Sequence, residues 1–337
     1  MSTDYGYINA RVRGMKTSLL PDEFYAEALS ATDFRAFLSV LGQSRYMHEL
    51  EEAQSRYEGL RAVDDALARD FFKTTRSLLM AADGNAGLLM ELLLLRYDRE
   101  NLKTIARAKH AGKTLEEILS SLYPAGPLRP AVLEAVAATP DMASAAQALA
   151  VTTTPLKSAF ARAALRYQSD GDLYALELAV DRAYYQVLRQ RLRRAGAPTS
   201  FMRHVTREID ATNLRTALKL RGMAEGAEEV FLAGGHEISR SIFDAVRNAE
   251  GPAGMQVLAG TSFAAVADTG SLAEAEQILR GILDASARSA SADPLGPGVV
   301  VRYLRLKEAE LARLRLLARG SFYNVPREAL QRELGHA

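Results

Sequence analysis

Residues 210–219 (DATNLRTALK) occur twice more in related form, as residues 98–107 (DRENLKTIAR) and residues 310–319 (ELARLRLLAR). Each copy reads acid, two variable residues, polar, Leu, basic, variable, two apolar residues, basic. In a helix, the leucine and the residues three and four positions later share one face, and the two basic residues share a flanking face. The pattern therefore predicts three helices that bury the same stripe and present the same charges.

The repeated register continues beyond each of the three segments. A glycine follows each segment, and a second helix start with a glutamate follows the glycine; these residues are Gly112 and Glu117, Gly222 and Glu229, and Gly320 and Glu328. A weaker copy, residues 9–13 (NARVR) with Gly14, lies near the N-terminus. This order favours a triplicated chain over chance matches between Ala- and Leu-rich helices. We predict repeat units at residues 1–105, 106–218 and 219–337, the last with additional C-terminal helices.

Composition narrows the classes of function. The 337 residues include no Cys and no Trp, and 42 basic against 41 acidic residues give a net charge of +1. Without cysteine there are no disulfides, thiolate metal sites or iron–sulfur clusters. The balanced charge gives no support to nucleic-acid binding. Periodic helical segments without strand alternation predict an all-α fold.

Neither a membrane span nor a catalytic motif is evident. The most apolar run, residues 88–95, contains Glu91 and is far shorter than the roughly 20 residues that a spanning helix needs. The five histidines show no metal-ligand spacing, and phosphate-binding glycine loops and nucleophile elbows are missing. Asp64, Asp65 and Asp70 resemble a magnesium-binding DDxxD motif, but Asp70 falls on a different helical face from Asp65. We predict no catalytic residue, no cofactor and no metal.

A basic cluster is a candidate for partner binding. It consists of Arg189, Arg191, Arg193 and Arg194, and it is also explained as a helix end whose dipole favours cations.

The polar residues of the repeats have two interpretations. They either lock each helix to its neighbour through hydrogen bonds and ion pairs, or form a charged ring that grips a shaft. These residues are Asp98, Asn101, Lys103, Asp210, Asn213, Arg215, Glu310, Arg313 and Arg315.

An ordered set of motifs resembles one family along the whole chain. These are residues 5–13 (YGYINARVR), 93–98 (LLLRYD), 208–219 (EIDATNLRTALK), 307–319 (KEAELARLRLLAR) and 325–326 (VP). They resemble the C subunit of prokaryotic V/A-type ATPases and ATP synthases, which is the relative of the d subunit of the vacuolar ATPase.

The resemblance implies an all-helical funnel of three similar domains around a pseudo-threefold axis, without catalytic activity. It implies a peripheral protein on the cytoplasmic face of the cell membrane that touches the membrane only through the proteolipid rotor ring. Its central cavity would receive the shaft, so that it transmits torque during ATP-coupled proton or sodium transport. Loops at the mouth of this funnel would then be candidates for partner binding, and we expect two such loops, one formed by Gly234, Gly235 and His236 and the other by the Pro/Gly-rich residues 124–130.

Two alternatives stay open at this point. One is an unrelated helical-repeat scaffold protein, and the other is an all-helical enzyme that uses carboxylates and magnesium.

Overall fold

The computed structural model describes residues 5–222, 230–251 and 253–335, which form helices and connecting turns without a β-strand. The α-helices are α1 (Gly6–Lys16), α2 (Asp22–Leu29), α3 (Phe34–Gly42), α4 (Met47–Gln54), α5 (Gly59–Met80), α6 (Gly84–His110), α7 (Leu115–Ser121), α8 (Pro130–Ala137), α9 (Met142–Ala150), α10 (Lys157–Asp170), α11 (Leu173–Arg194), α12 (Thr199–Lys219), α13 (Arg240–Arg247), α14 (Leu272–Ala290), α15 (Gly298–Phe322) and α16 (Arg327–Leu334). Two short 3-10 helices lie at Ala253–Leu258 and Ala264–Asp268. The predicted all-α class is confirmed.

The chain divides into two compact units. One contains residues 1–98, 123–128 and 299–337, and the other contains residues 99–122 and 129–298. Each has its own aromatic core, with Phe71 and Tyr303 buried in the first and Phe160 and Phe201 in the second. The three predicted units at residues 1–105, 106–218 and 219–337 stay a prediction.

The repeated segments lie on the long helices α6, α12 and α15. The central leucines Leu102, Leu214 and Leu314 are fully buried, as their shared position in the pattern predicts. Truncating a buried leucine to alanine typically costs about 2–5 kcal/mol, so this apolar stripe is a large part of the stability of each helix.

The basic residues of the first repeat bind carboxylates on a neighbouring helix. Lys103 on α6 lies 3.0 Å from Asp181 on α11, and Arg107 lies 2.6 Å from Glu177. Both acceptors lie on the same side of α11 because they are four residues apart.

The other two repeats form the same kind of pair, which we call the ion-pair clamp. On α12, Arg215 lies 2.7 Å and Lys219 3.6 Å from the carboxylate of Glu276 on α14. On α15, Arg315 and Arg319 lie 3.2 and 3.1 Å from Asp64 on α5. The contacts support the interpretation that these cations lock each helix to its neighbour.

The repeated glycines do not all end a helix. Gly112 and Gly222 adopt left-handed backbone angles (φ +65° and +79°), which glycine favours at a helix C-terminus. Gly320 differs, because it lies inside α15, and Asn324 (φ +53°) takes the left-handed position after this helix instead. A Cβ atom on Gly320 would overlap the side chain of Leu330 on α16, so this glycine serves close helix packing.

The repeated glutamates begin helices where the structure describes them. Glu117 forms a capping box with Thr114 at the start of α7. Glu328 lies in the first turn of α16. Glu229 lies outside the described residues.

We expect Gly320→Ala to lower the free energy of unfolding by about 1–3 kcal/mol, because the added methyl group overpacks against Leu330. Leu330→Ala in the same chain should restore part of this loss, since it removes the overlapping atoms. Urea unfolding of the wild type, both single variants and the double variant measures this coupling. Strictly additive effects would contradict the packing role assigned to Gly320.

Candidate partner-binding surface

The first residue of each repeat is a buried carboxylate. Asp98, Asp210 and Glu310 have exposed fractions of 0%, 1% and 3%. A charged group at such depth is stable only when hydrogen bonds or opposite charges compensate the lost water. In each case the compensation includes backbone N–H groups of a segment just before a short helix. We call these three residues the acidic anchors.

The second anchor holds the predicted glycine loop. The carboxylate of Asp210 accepts hydrogen bonds from the N–H groups of His236 (2.9 Å), Glu237 (3.0 Å) and Ile238 (3.0 Å). Any Cβ atom at Gly235 would overlap this carboxylate. Gly235, predicted as a partner contact, therefore has a structural role in letting the loop approach Asp210.

An asparagine extends this anchorage. The side chain of Asn213 accepts a hydrogen bond from the Leu232 N–H (2.8 Å) and donates one to the Leu232 carbonyl (2.9 Å). Both groups are buried, so the polar position of this repeat is used inside the fold.

The structure brings Arg189 and the glycine loop together. The Arg189 guanidinium donates a hydrogen bond to the Ala233 carbonyl (3.2 Å). A Cβ atom on Gly234 (φ +115°) would overlap this guanidinium. Burial and the nearby Arg193 hold the pKa of Arg189 below its usual value. Arg189 and Gly234 thus pack against each other.

The remaining candidates face solvent to different degrees. Arg193, Arg194 and His236 are exposed, and Arg191 is partly exposed. Within the loop and the basic cluster, these four residues have side chains that can reach a partner.

The first anchor holds the predicted Pro/Gly-rich loop in the same way. Asp98 accepts hydrogen bonds from the Leu128 N–H at 3.1 and 3.2 Å, and Gly126 packs directly on its carboxylate. From the other side, the Arg76 guanidinium donates to the carbonyls of Gly126 and Leu128 (both 3.1 Å). Hydrogen bonds to Asp98 and from Arg76 therefore hold this loop in place.

Asp98 receives less compensation than Asp210, because one backbone N–H of the described residues binds Asp98 whereas three bind Asp210. Burial raises the pKa of the Asp98 carboxyl from its usual 3.8 to about 7, while the Leu128 N–H and Arg76 oppose this rise. Asp98 is consequently a carboxyl group that titrates near neutral pH.

The third anchor is Glu310, a residue of the repeat pattern whose binding partners the sequence does not predict. Glu310 accepts hydrogen bonds from the Leu20 N–H, the Tyr46 hydroxyl and the Lys307 ammonium, each at 2.6 Å. Lys307 is fully buried and also pairs with Asp70 at 2.7 Å. The weak N-terminal copy of the repeat covers residues 9–14. The backbone N–H that Glu310 binds belongs to Leu20, which precedes Glu310 by 290 residues.

Two aspartates form similar N-terminal caps on different short helices. Asp33 caps α3 and Asp141 caps α9, each by accepting the N–H three residues later at 2.8 Å. The two aspartates are 108 residues apart, which is close to the spacing of the repeated segments.

The acidic residues tested as a magnesium motif bind cations of the chain itself. Asp64 pairs with Arg315, and Asp65 pairs with Arg69 at 2.5 Å. Asp70 pairs with Lys307. Within residues 5–222, 230–251 and 253–335, no group of three or more His, Asp or Glu side chains is placed to hold a metal ion.

We expect the stability of the wild type, relative to Asp98→Asn, to fall as the pH rises from about 4 to 7. The folded state binds the Asp98 proton more tightly than the unfolded state, so the stabilisation is present below pH 4 and is lost as the pH approaches 7. The slope should reach at most about 1.4 kcal/mol per pH unit. Urea unfolding of both proteins between pH 4.5 and 8.5 measures it, and a pH-independent difference would contradict the assignment.

Comparison with known proteins gives one consistent result. The sequence model of the ATP synthase (C/AC39) subunit family matches residues 8–333. The C subunit of the V-type ATP synthase of Deinococcus radiodurans is 36% identical over 335 residues, covering 99% of this chain and 92% of the relative. The corresponding V-type protein of Thermus thermophilus is also 36% identical, covering 99% of both chains.

An archaeal relative extends the match. The C subunit of the A-type ATP synthase of Methanococcoides burtonii is 26% identical over 345 residues, covering 99% of this chain and 94% of the relative. The repeated anchors and clamps described above lie within the matched residues. The chain therefore belongs to the ATP synthase (C/AC39) subunit family.

Proposed function

We propose that this chain is a non-catalytic adapter in the central stalk of a rotary V/A-type ATPase or ATP synthase. In this role it connects the central shaft to the proteolipid ring and transmits torque for ATP-coupled transport of protons or sodium ions. Family membership and the names of the relatives support the proposal. The structural observation that carries it is the fixing of each long repeat helix by both an acidic anchor and an ion-pair clamp.

A part that transmits torque must resist twisting and bending. The helices α6 and α15 contain 27 and 25 residues, which at 1.5 Å per residue are about 40 Å long. Each is tied to neighbouring segments at a buried carboxylate and again, roughly one and a half to two and a half turns later, at the clamp. Such tethering suits a stiff connector more than a reactive site.

We propose that the chain consists of three repeat units that form a pseudo-threefold funnel. The units are residues 1–105, 106–218 and 219–337. The threefold occurrence of anchor and clamp along the chain supports it. Under this plan the funnel receives the shaft and rests on the ring.

The proposed partner contacts are the seven residues Arg189, Arg191, Arg193, Arg194, Gly234, Gly235 and His236. Since Arg189, Gly234 and Gly235 pack against their own surroundings, we assign them to shaping the surface. Direct contact is assigned to the exposed His236, Arg193 and Arg194 and to the partly exposed Arg191.

The proposed location is the cytoplasmic face of the cell membrane, as a peripheral protein. Every helix in the described part of the chain is too short or too polar to span a bilayer. We assign membrane attachment to the ring. We propose no cofactor and no nucleic-acid partner.

The two alternatives receive less support. An unrelated scaffold is disfavoured by the family match over residues 8–333. A magnesium enzyme is disfavoured because Asp64, Asp65 and Asp70 are each engaged by a cationic side chain.

We expect the purified wild-type chain to assemble with detergent-solubilised ring and shaft proteins of the same complex. The exposed His236→Glu substitution should weaken this assembly about tenfold or more, because it places a new negative charge on the proposed contact surface. His48→Glu is a matched control on another exposed histidine. Affinity measurements with both variants test the surface.

Two results would count against the proposal at different levels. If the wild type associates with neither the ring nor the shaft, the adapter function is wrong. If His236→Glu assembles as well as His48→Glu, the function stands and the assigned surface is wrong.

A further inference from the structure

The loop of residues 124–128 covers the carboxyl group of Asp98. Within this loop Ala125 and Leu128 are buried, and Asp98 beneath them has an exposed fraction of 0%. Gly126 packs so closely on the carboxyl group that a Cβ atom there would overlap it. Moving this loop away therefore brings water to Asp98.

The contacts that hold the loop respond differently to pH. At its start, the ring of Tyr123 stacks on Phe71 with 5.1 Å between the ring centroids. At its end, the Leu128 N–H binds Asp98, and Arg76 donates to backbone carbonyls of the loop. An arginine keeps its charge at every relevant pH, and ring stacking involves no proton. Of these contacts, the one with Asp98 is the one that a proton can change near neutral pH.

The charged groups around Asp98 do not hold it in one protonation state. Burial under the loop favours the neutral carboxyl, while Arg76 on α5 favours the carboxylate, and burial is the larger effect. On α6 the neighbouring polar groups are engaged elsewhere. The Tyr97 hydroxyl donates to Glu308 on α15, and the Arg99 guanidinium pairs with a carboxylate on its own helix. The pKa of Asp98 is consequently raised to about 7.

The second acidic anchor is built differently. Asp210 accepts hydrogen bonds from three successive backbone N–H groups, those of residues 236–238. Such a set of donors stabilises a carboxylate in its charged form without help from water. Asp98 binds one N–H of the described residues, so its charged form gains much more from hydration. The same position of the repeat is therefore sensitive to protons in the first unit of the pattern and insensitive in the second.

We propose that residues 124–128 form a proton-dependent latch, which is closed over the neutral carboxyl of Asp98 and opens as this carboxyl releases its proton to water. The inference goes beyond the proposed function, because it describes a regulatory device within the chain itself. The neutral carboxyl keeps an oxygen that accepts the hydrogen bond from the Leu128 N–H, so protonation leaves the closed loop intact.

The direction of the effect follows from proton binding. The closed latch binds the proton more tightly than the open one, in which a hydrated Asp98 returns towards its usual pKa of 3.8. Opening thus becomes more favourable as the pH rises, and the effect levels off above about pH 7. An adapter with this latch is stiffer at its first anchor in acid than in alkali.

The test is amide hydrogen exchange of the full chain between pH 5 and 8.5, with rates corrected for the intrinsic effect of pH. Protection of the Leu128 amide should fall on the order of 100-fold over this range in the wild type. It should stay constant in D98N, which has no proton to release. The matched control D83N removes an exposed aspartate of the same compact unit and should behave as the wild type.

Two sets of amides in the wild type serve as internal references, so the test does not depend on the folding of D98N. The amides of residues 236–238, bound by Asp210, should keep constant protection. The Phe71 amide, inside α5, should exchange more slowly than that of Leu128 at every pH, because the latch opens without unfolding of the helix.

Three results would overturn the latch. They are constant protection of Leu128 in the wild type, an equal fall in D98N, and equal protection of Leu128 and Phe71 throughout, which would assign the pH effect to global unfolding. Because the assay contains neither ring nor shaft, a failure of the latch is distinguishable from a failure of the adapter function.

Discussion

The structure depends on one interaction, a buried carboxylate on a long helix that accepts hydrogen bonds from the backbone of a distant segment. Burial of a charge is unfavourable unless its hydrogen bonds are replaced, and backbone N–H groups replace them here. Asp98 and Asp210 hold the loops that precede α8 and α13, and Glu310 holds the segment that precedes α2. The close approach of Gly126 and Gly235 follows from this anchorage.

The third anchor joins segments that are far apart in sequence. Glu310 and Leu20 are 290 residues apart, whereas Asp98 and Leu128 are separated by 30. Closing a longer loop costs more conformational entropy, although the cost rises slowly with length. The site around Glu310 adds a fully buried Lys307, itself paired with Asp70, which the other two anchors lack. These contacts tie residues near the two ends of the sequence into one compact unit.

Periodicity predicted the helical class, the buried leucines and the shared face of the repeated cations, because each depends on neighbours within one helix. It did not predict Asp64 or Glu276 as the acceptors of those cations, since these lie on other helices and have no fixed spacing. Nor did it predict that Gly320 would lie inside α15, where the constraint is contact with Leu330. The glycines of residues 234–236 identify the candidate loop in the sequence. The packing of Gly235 against the Asp210 carboxylate could not be predicted, because Asp210 lies on another element with no fixed spacing from the loop.

The most direct test of the acidic anchors is amide hydrogen exchange of the anchored segments in Asp210→Ala. We expect the amides of residues 236–238 to lose protection while the Leu128 amide, which Asp98 binds, keeps it. Asp244→Ala, which removes an exposed carboxylate paired with Arg240, serves as the control and should leave both segments protected. Unchanged protection of residues 236–238 in Asp210→Ala would contradict the anchoring role of the buried carboxylates.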